Sequence, residues 1–512
     1  MYWEKLKNYC NKYCFLISTL ILINLVFICP FHYLLNFSHD DSFFYIKIAN
    51  NFSLGLGSTF DGVNYTNGYH PLWFIILSII YFPFNYILNS SPESIYKITF
   101  SLHVIICVSI SYFCYKIFTY TIPKESLNKV YSVFIILISA NVFIRDVGME
   151  TPLICLLLSV YFYFKVKELH FENDYYKFKS VLLVLLFLCR TDYLLTLIPF
   201  IIISDYFTGR NKKKVLLLNI ILIIIFPILY YSLNYYLFGD IFPVSQKVES
   251  TFPDINLFRN IYEFIPTSSF FYNQFLKLLF LLFTIIIFIY YANHRKIFLA
   301  KNFDYMLFFC CCGFLGFSLI HFAFNKNALR EWYMTPPVFV SLILILKIYI
   351  RYFNITKLSI VFSFVFFLLI CYFSRVQNEK FLSSYNYALK LKSIISNSDL
   401  VYQIDFSGFV GFFSERKIIN GDGLVNSYEY LNYLKNGNLI EYFKKYNVKY
   451  YSTFIDYYLN ELDTIFVDKK FSNNFGNYSF NFRLNKLILK EPYYYNHIVL
   501  KSSGEWLLFK LN

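Results

Sequence analysis

At 512 residues, with 57% hydrophobic, 23% aromatic and 15% charged side chains, the chain is too apolar for a soluble core and has the composition of a membrane protein with hydrophilic annexes. Its net charge of +14 lies largely beside apolar segments, where basic residues set orientation and touch anionic lipid, so it does not point to nucleic acid. The eleven cysteines, including the run Cys310, Cys311 and Cys312, show neither a disulfide framework nor metal-binding spacing.

Apolar runs are predicted near 14–36, 71–88, 98–120, 129–145, 150–167, 179–204, 214–237, 273–291, 305–324, 335–351 and 356–374. Most approach the roughly 20 residues that span a bilayer. The first is too long for a secretory signal and lacks a small-residue cleavage site, so it reads as an uncleaved anchor. Basic residues favour the cytoplasmic side of short loops, and Lys5, Lys7 and Lys12 therefore put the N-terminus inside and the loop 37–70 outside. Arg210 with Lys212 to Lys214, Arg295 with Lys296 and Lys301, and Lys347 with Arg351 and Lys357 mark further cytoplasmic turns.

Lys116, Lys124 and Lys129, and then Lys165, Lys167, Lys177 and Lys179, fit the same rule only on two conditions. The stretch 71–97, interrupted by Pro83 and a polar turn, must return to its starting side, and 179–204 must be two half-spans broken at Arg190-Thr191-Asp192. Broken segments at membrane depth are tolerated where they line a cavity. On this reading, polar clusters from distant parts of the chain converge on one outward-facing cavity. After 375 the apolar runs stop. Strand-like pieces at 401–404, 417–419 and 448–451 alternate with helical stretches around 428–446, which predicts a small extracytoplasmic α/β domain over 376–512 following a membrane module over 1–375.

Asp40 and Asp41 precede Phe44, Ile48 and Phe52, which recur at helical spacing and predict an amphipathic helix in the outer interface. One acid could cap that helix, which leaves the other unexplained. The pair suits a general base acting on an acceptor hydroxyl, or an anionic site for a divalent cation, and the sequence does not choose between them. A turn-rich loop through Asn67 leads to His70-Pro71-Leu72-Trp73. Pro in the first helical turn and an interfacial Trp explain part of this motif but not His70, a candidate contact for a phosphate or a sugar.

Glu150 begins another helix, where it could complement the dipole or serve as a further acid, with Arg145 on phosphate or paired with Asp146. Arg190 and Asp192 form either an intramembrane ion pair or part of a phosphate site. Lys247, Arg330, Trp332 and Tyr333 are candidate contacts at the outer face, with Lys247 and Arg330 either gripping a lipid phosphate or simply snorkelling. There is no Walker loop, GxSxG elbow, HExxH or dinucleotide fingerprint.

The blocks Asp40-Asp41-Ser42-Phe43-Phe44-Tyr45-Ile46-Lys47-Ile48-Ala49, Thr66-Asn67-Gly68-Tyr69-His70-Pro71-Leu72-Trp73, Gly148-Met149-Glu150-Thr151, Arg190-Thr191-Asp192, Pro243-Val244-Ser245, Arg330-Glu331-Trp332-Tyr333 and Asp422-Gly423-Leu424-Val425-Asn426 run in order along nearly the whole chain. Together they resemble the GT-C superfamily of multi-span glycosyltransferases, in particular bacterial members related to protein O-mannosyltransferases and mycobacterial arabinofuranosyltransferases. The resemblance implies a polytopic α-helical membrane protein with about 11–13 membrane segments and the small α/β domain. It also implies a polyprenyl-phosphate sugar as donor and inverting transfer with Asp40 or Asp41 as base.

Glu150 would be a second acid, and Arg190, Lys247 or Arg330 would hold the lipid phosphate. Thr191 stands where that family has Pro. The expected partners are membrane lipid, the lipid-linked sugar and a glycan, lipid or protein acceptor. The expected location is a bacterial inner membrane, with the site facing outside the cytoplasm. A flippase or transporter of lipid-linked saccharides is the alternative, since it too needs charges in a membrane cavity.

Overall fold

The computed structural model describes residues 19–121, 146–171, 174–208, 212–255, 285, 289, 302–326, 330–352, 378–456, 470–475, 478–496 and 501–511. The predicted segments 129–145 and 356–374, the segment 273–291 apart from 285 and 289, and Arg145 lie outside these residues. In chain order the principal helices begin with α1 (Asp40–Ser53), α2 (Pro71–Leu88), α3 (Pro92–Thr121) and α4 (Thr151–Phe171). They continue with α5 (Tyr176–Cys189), α6 (Leu197–Thr208), α7 (Lys212–Phe238), α8 (Val244–Glu249), α9 (Asn302–Phe324) and α10 (Thr335–Tyr352). The tail adds α11 (Asn378–Ile394), α12 (Ser407–Ser414), α13 (Tyr428–Lys435) and α14 (Leu439–Tyr446).

Among the described residues four helices, α2, α3, α7 and α9, are long and apolar enough to cross a membrane. Among the described residues of the first predicted run, one helix covers Thr19–Ile28 and another Phe31–Leu34, on either side of Pro30. Pro83 does not interrupt α2, which continues unbroken to Leu88 and ends on Asn89 in the left-handed region. The break predicted inside 179–204 is present: α5 stops at Cys189, a 3-10 turn covers Thr191–Leu194, and α6 starts at Leu197.

The chain divides into two compact units that alternate along the sequence. One holds Met1–Ile28, Phe100–Tyr230 and Thr251–Tyr372, and the other Cys29–Thr99, Tyr231–Ser250 and Phe373–Asn512. The second unit therefore contains the tail predicted over 376–512 together with the loop 37–70.

That second unit is built on a six-stranded sheet of β1 (Leu400–Gln403), β2 (Lys417–Asn420), β3 (Val448–Asp456), β4 (Lys470–Phe475), β5 (Tyr478–Asn496) and β6 (Lys501–Leu511). The strand order is β2-β1-β3-β6-β5-β4. The pairs β1–β2 and β1–β3 are parallel, and the rest are antiparallel. Period-two alternation splits the side chains between the two faces. Tyr402, Tyr451, Leu507 and Phe509 pack with α13, α14 and Val244 and Val248 of α8. Trp506 instead stacks on Tyr387 of α11, with ring centroids 4.6 Å apart.

Helix α1 departs from expectation. Phe44 and Ile48 are buried and only Phe52 is exposed. The Phe44 part of the apolar face is covered by α12, which is itself buried along its whole length and packs against α1. A Cβ at Gly408 would stand 2.5 Å from the backbone oxygen of Asp40 and 3.0 Å from the Phe44 ring, so only glycine permits this approach. A second close approach is at Gly68, where a Cβ would lie 2.0 Å from the carbonyl oxygen of Leu424. Gly68→Ala is expected to destabilise the protein by about 1–3 kcal/mol through forced separation of the two backbones. The readout is the thermal unfolding midpoint in detergent, and an unchanged midpoint would contradict this contact.

Candidate functional site

In the second unit, α1 and α12 run side by side with their N-termini together, and α1 supplies a charge to each end of its neighbour. Asp40 Oδ1 accepts a hydrogen bond from the backbone N–H of Phe409 in the first turn of α12, at 2.7 Å. Seven residues on, two helical turns along the same face, the Lys47 ammonium donates to the carbonyl oxygens of Gly411 and, at 3.0 Å, Arg416. An anion at the N-terminus and a cation at the C-terminus both complement the dipole of α12 and satisfy groups that a helix leaves unpaired.

The cap of α1 itself is His39, whose backbone N–H donates to Ser42 Oγ. Asp40 therefore does cap a helix, but a different one from that expected. Burial pushes the Lys47 ammonium down to about 8. Lys47→Met is expected to cost about 1–3 kcal/mol, because it strands the buried Gly411 carbonyl and the part-buried Arg416 carbonyl. An unchanged unfolding midpoint would show that the carbonyls find other donors.

Asp40 is half-buried, and burial, followed by the adjacent Asp41 charge, pushes its carboxyl up to about 7 against the opposing pull of the Phe409 and Gly408 amides. Asp422 belongs to the same electrostatic neighbourhood. Burial raises it well above the usual carboxylate range, and Asp41 and Asp40 add to the effect. Its placement follows from the sheet. Gln403 and Asn420 are paired at the ends of parallel β1 and β2, so Asp405 and Asp422, each two residues farther on, leave the sheet at the same edge. The carboxyl ends of parallel strands are where open α/β sheets bind ligands.

The sequence blocks contained Asp422 but did not single it out. The available signal was an acid between two glycines directly after a predicted strand. Lys47, a lone charge inside the apolar pattern of α1, was likewise passed over.

Asn67 is tied up by the protein. Its Oδ1 accepts from the Val244 N–H at 3.0 Å and from the Tyr428 hydroxyl at 3.1 Å, and its Nδ2 donates to Asn234 at 3.4 Å. It positions the loops around it and has little left for a substrate. His70 is the N-cap residue of α2, and its ring stacks on Tyr45. Lys247 is paired with Asp240 and lies 5.7 Å from the centre of the Tyr428 ring.

In the first unit, Glu150 and Arg190 are both buried. Arg190 Nη1 donates to Glu150 Oε1 at 2.9 Å, and its Nε reaches Asp192 Oδ1 at 3.1 Å. The guanidinium lies 4.1 Å from the Tyr333 ring centre. Asp192 Oδ2 also meets His321 Nε2 at 2.8 Å, and His321 Nδ1 meets Asn325 at 2.6 Å. Asp146 accepts from Thr151 and Thr335.

Glu150 was expected as a second acid of the site, and Arg190 and Lys247 among the residues holding the lipid phosphate. Both cations are paired with acids instead, because a buried guanidinium or ammonium is stable only beside a counter-charge. Arg330 is exposed at the start of the 3-10 turn Glu331–Met334, and Trp332 and Tyr333 within that turn are half-buried. His321, which extends the ion pair, was not among the expected residues.

The same unit has a second buried network. Asp205 receives Lys165 at 2.9 Å and Lys179 at 2.8 Å, and Lys179 also reaches Glu168 at 2.6 Å. Two of the lysines used as cytoplasmic markers are thus internal counter-charges, which removes them from the orientation argument. Among the described residues no group of three or more His, Cys, Asp or Glu side chains is arranged to hold a metal ion. Neither the known protein-family models nor the curated protein sequences contain a match to this chain.

Proposed function

We propose that the protein is a polytopic, integral-membrane glycosyltransferase of GT-C type, set in a bacterial inner membrane. It would move one sugar from a polyprenyl-phosphate carrier to a glycan, lipid or protein acceptor outside the cytoplasm. The observation that carries this reading is Asp40: a half-buried carboxyl pushed up to about 7, in a unit that also holds a helix long and apolar enough to cross a membrane. A base is most effective when its pKa lies near the working pH.

Asp40 takes the proton of the acceptor hydroxyl as that oxygen attacks C1 of the sugar. The C1–O bond to the lipid phosphate breaks, the phosphate leaves with the electron pair, and the configuration at C1 inverts. Burial, and then like-charge repulsion from Asp41 and Asp405, hold the basicity of Asp40 up. Lys247, which can exchange Asp240 for phosphate, is the cation assigned to the leaving group.

The alternative, a flippase for lipid-linked saccharides, is favoured by the buried ionisable groups among Lys165, Glu168, Lys179 and Asp205, because such groups inside helical bundles also mark transport paths. Purified protein in vesicles, given a labelled polyprenyl-phosphate sugar and a soluble acceptor, separates the two. Labelled acceptor supports the transferase. Label crossing the bilayer while still attached to its lipid, with no acceptor product, supports the flippase.

A further inference from the structure

The last turn of α1 and the turn-rich loop behind it present a set of apolar side chains to the outside. Phe52, Leu54, Leu56 and Tyr65 are 49%, 51%, 50% and 64% exposed, and Val63 is exposed beside them. The loop is firmly held in this arrangement. Asn51 Nδ2 donates to the carbonyl oxygens of Thr59 and Phe60 at 2.9 and 3.0 Å, Ser58 binds the Thr66 carbonyl and the Tyr69 hydroxyl, and Thr59 and Tyr65 form a β-bridge. The only charged side chain from 52 to 65, Asp61, is buried, with Oδ1 accepting the Val63 and Asn64 amides. A fixed, uncharged apolar surface of this kind requires something to cover it.

What covers it follows from its continuity with α2. Phe52 packs edge-on against Phe74 in the first turn of α2, with centroids 5.2 Å apart, and Tyr69 stacks on the same ring at 4.2 Å. From there Ile75, Ile79, Phe82 and Tyr86 form an exposed stripe at helical spacing along a helix of membrane-spanning length. We infer that the loop 52–65 is an interfacial foot, inserted through Phe52, Leu54, Leu56 and Tyr65 into the bilayer leaflet that α2 enters. It joins the lipid-facing stripe of α2 to the helix that carries Asp40.

Aromatic and aliphatic side chains without charge suit this depth, where ring edges meet headgroups and chains meet acyl tails. The bilayer contact expected of α1 is thus kept at Phe52 in its last turn and continues through the loop behind it. The inference uses the membrane reading of α2 and is independent of the glycosyltransferase reading.

The test places the photoreactive residue p-benzoylphenylalanine at Leu56 or Tyr65 of the full-length protein. The protein is reconstituted in phosphatidylethanolamine–phosphatidylglycerol vesicles with radiolabelled acyl chains. Ile79 on α2 serves as the span control, and Ile440, an exposed side chain of α14, as the background control. The expected result is lipid adduct at positions 56 and 65 at the level of position 79 and several-fold above position 440. Adduct at 79 with only background at 56 and 65, or protein cross-links in place of lipid at those two positions, would overturn the foot. Background at position 79 as well would remove the membrane-spanning helix on which it stands, and would overturn it equally.

Discussion

Asp40→Asn is expected to leave the protein folded and to lower sugar transfer by about 10²–10⁴-fold, the usual share of a general base. The amide oxygen of Asn can still accept from the Phe409 N–H, so α12 keeps its cap. Asp40→Ala removes the base and the cap together, and should lose a similar amount of activity plus about 1 kcal/mol of stability. The contrast between the two variants separates the chemical role of the carboxyl from its structural one. If Asp40→Asn transferred at the wild-type rate, Asp40 would be a cap and nothing more.

The pH dependence of stability carries the same information with a definite sign. The folded carboxyl titrates at about 7, against 3.8 ordinarily. Its contribution to stability is therefore full below the ordinary value and is lost as the pH rises through about 7. Asp40→Asn should remove that dependence.

Arg190→Met is expected to be the most damaging single change in the first unit, at about 3–5 kcal/mol, because it strands the buried Glu150 beside a half-exposed Asp192. The shape of the methionine matters less than the missing charge. Adding Glu150→Gln and Asp192→Asn should therefore recover much of the loss, a coupling that independent sites would not show. Thermal unfolding in detergent reads both variants. A mild effect of Arg190→Met, with no recovery in the triple variant, would mean that Arg190 is not the keystone of this network. The stacking of Arg190 on Tyr333 also makes Tyr333 a packing partner of the pair.

Local signals in the sequence carried far. The pattern of short strands after 400 appears as β1, β2 and β3, and the helical stretch around 428–446 resolves into α13 and α14. The Arg190-Thr191-Asp192 interruption ends α5 as expected. These features depend on residues close in the chain. Pairings across hundreds of residues were not legible, since nothing in a single sequence says that Asp40 will meet Phe409, that Lys47 will meet Gly411, or that Asn67 will bind Val244 and Tyr428.

The same limit applies to α1. Helical spacing of Phe44, Ile48 and Phe52 specifies an apolar face but not its cover, and α12, with Gly408 at the contact, covers Phe44. Glu150 and Arg190 were both identified, 40 residues apart, and their pairing became visible only in three dimensions.

The most direct test of the central claim is the pH–rate profile of transfer from a labelled polyprenyl-phosphate sugar by the purified, reconstituted protein, measured for wild type and Asp40→Asn. The account expects wild-type transfer to rise with pH through a midpoint near about 7 and Asp40→Asn to stay near background at every pH. A profile flat across this range, or an Asp40→Asn enzyme that follows the wild-type curve, would contradict it.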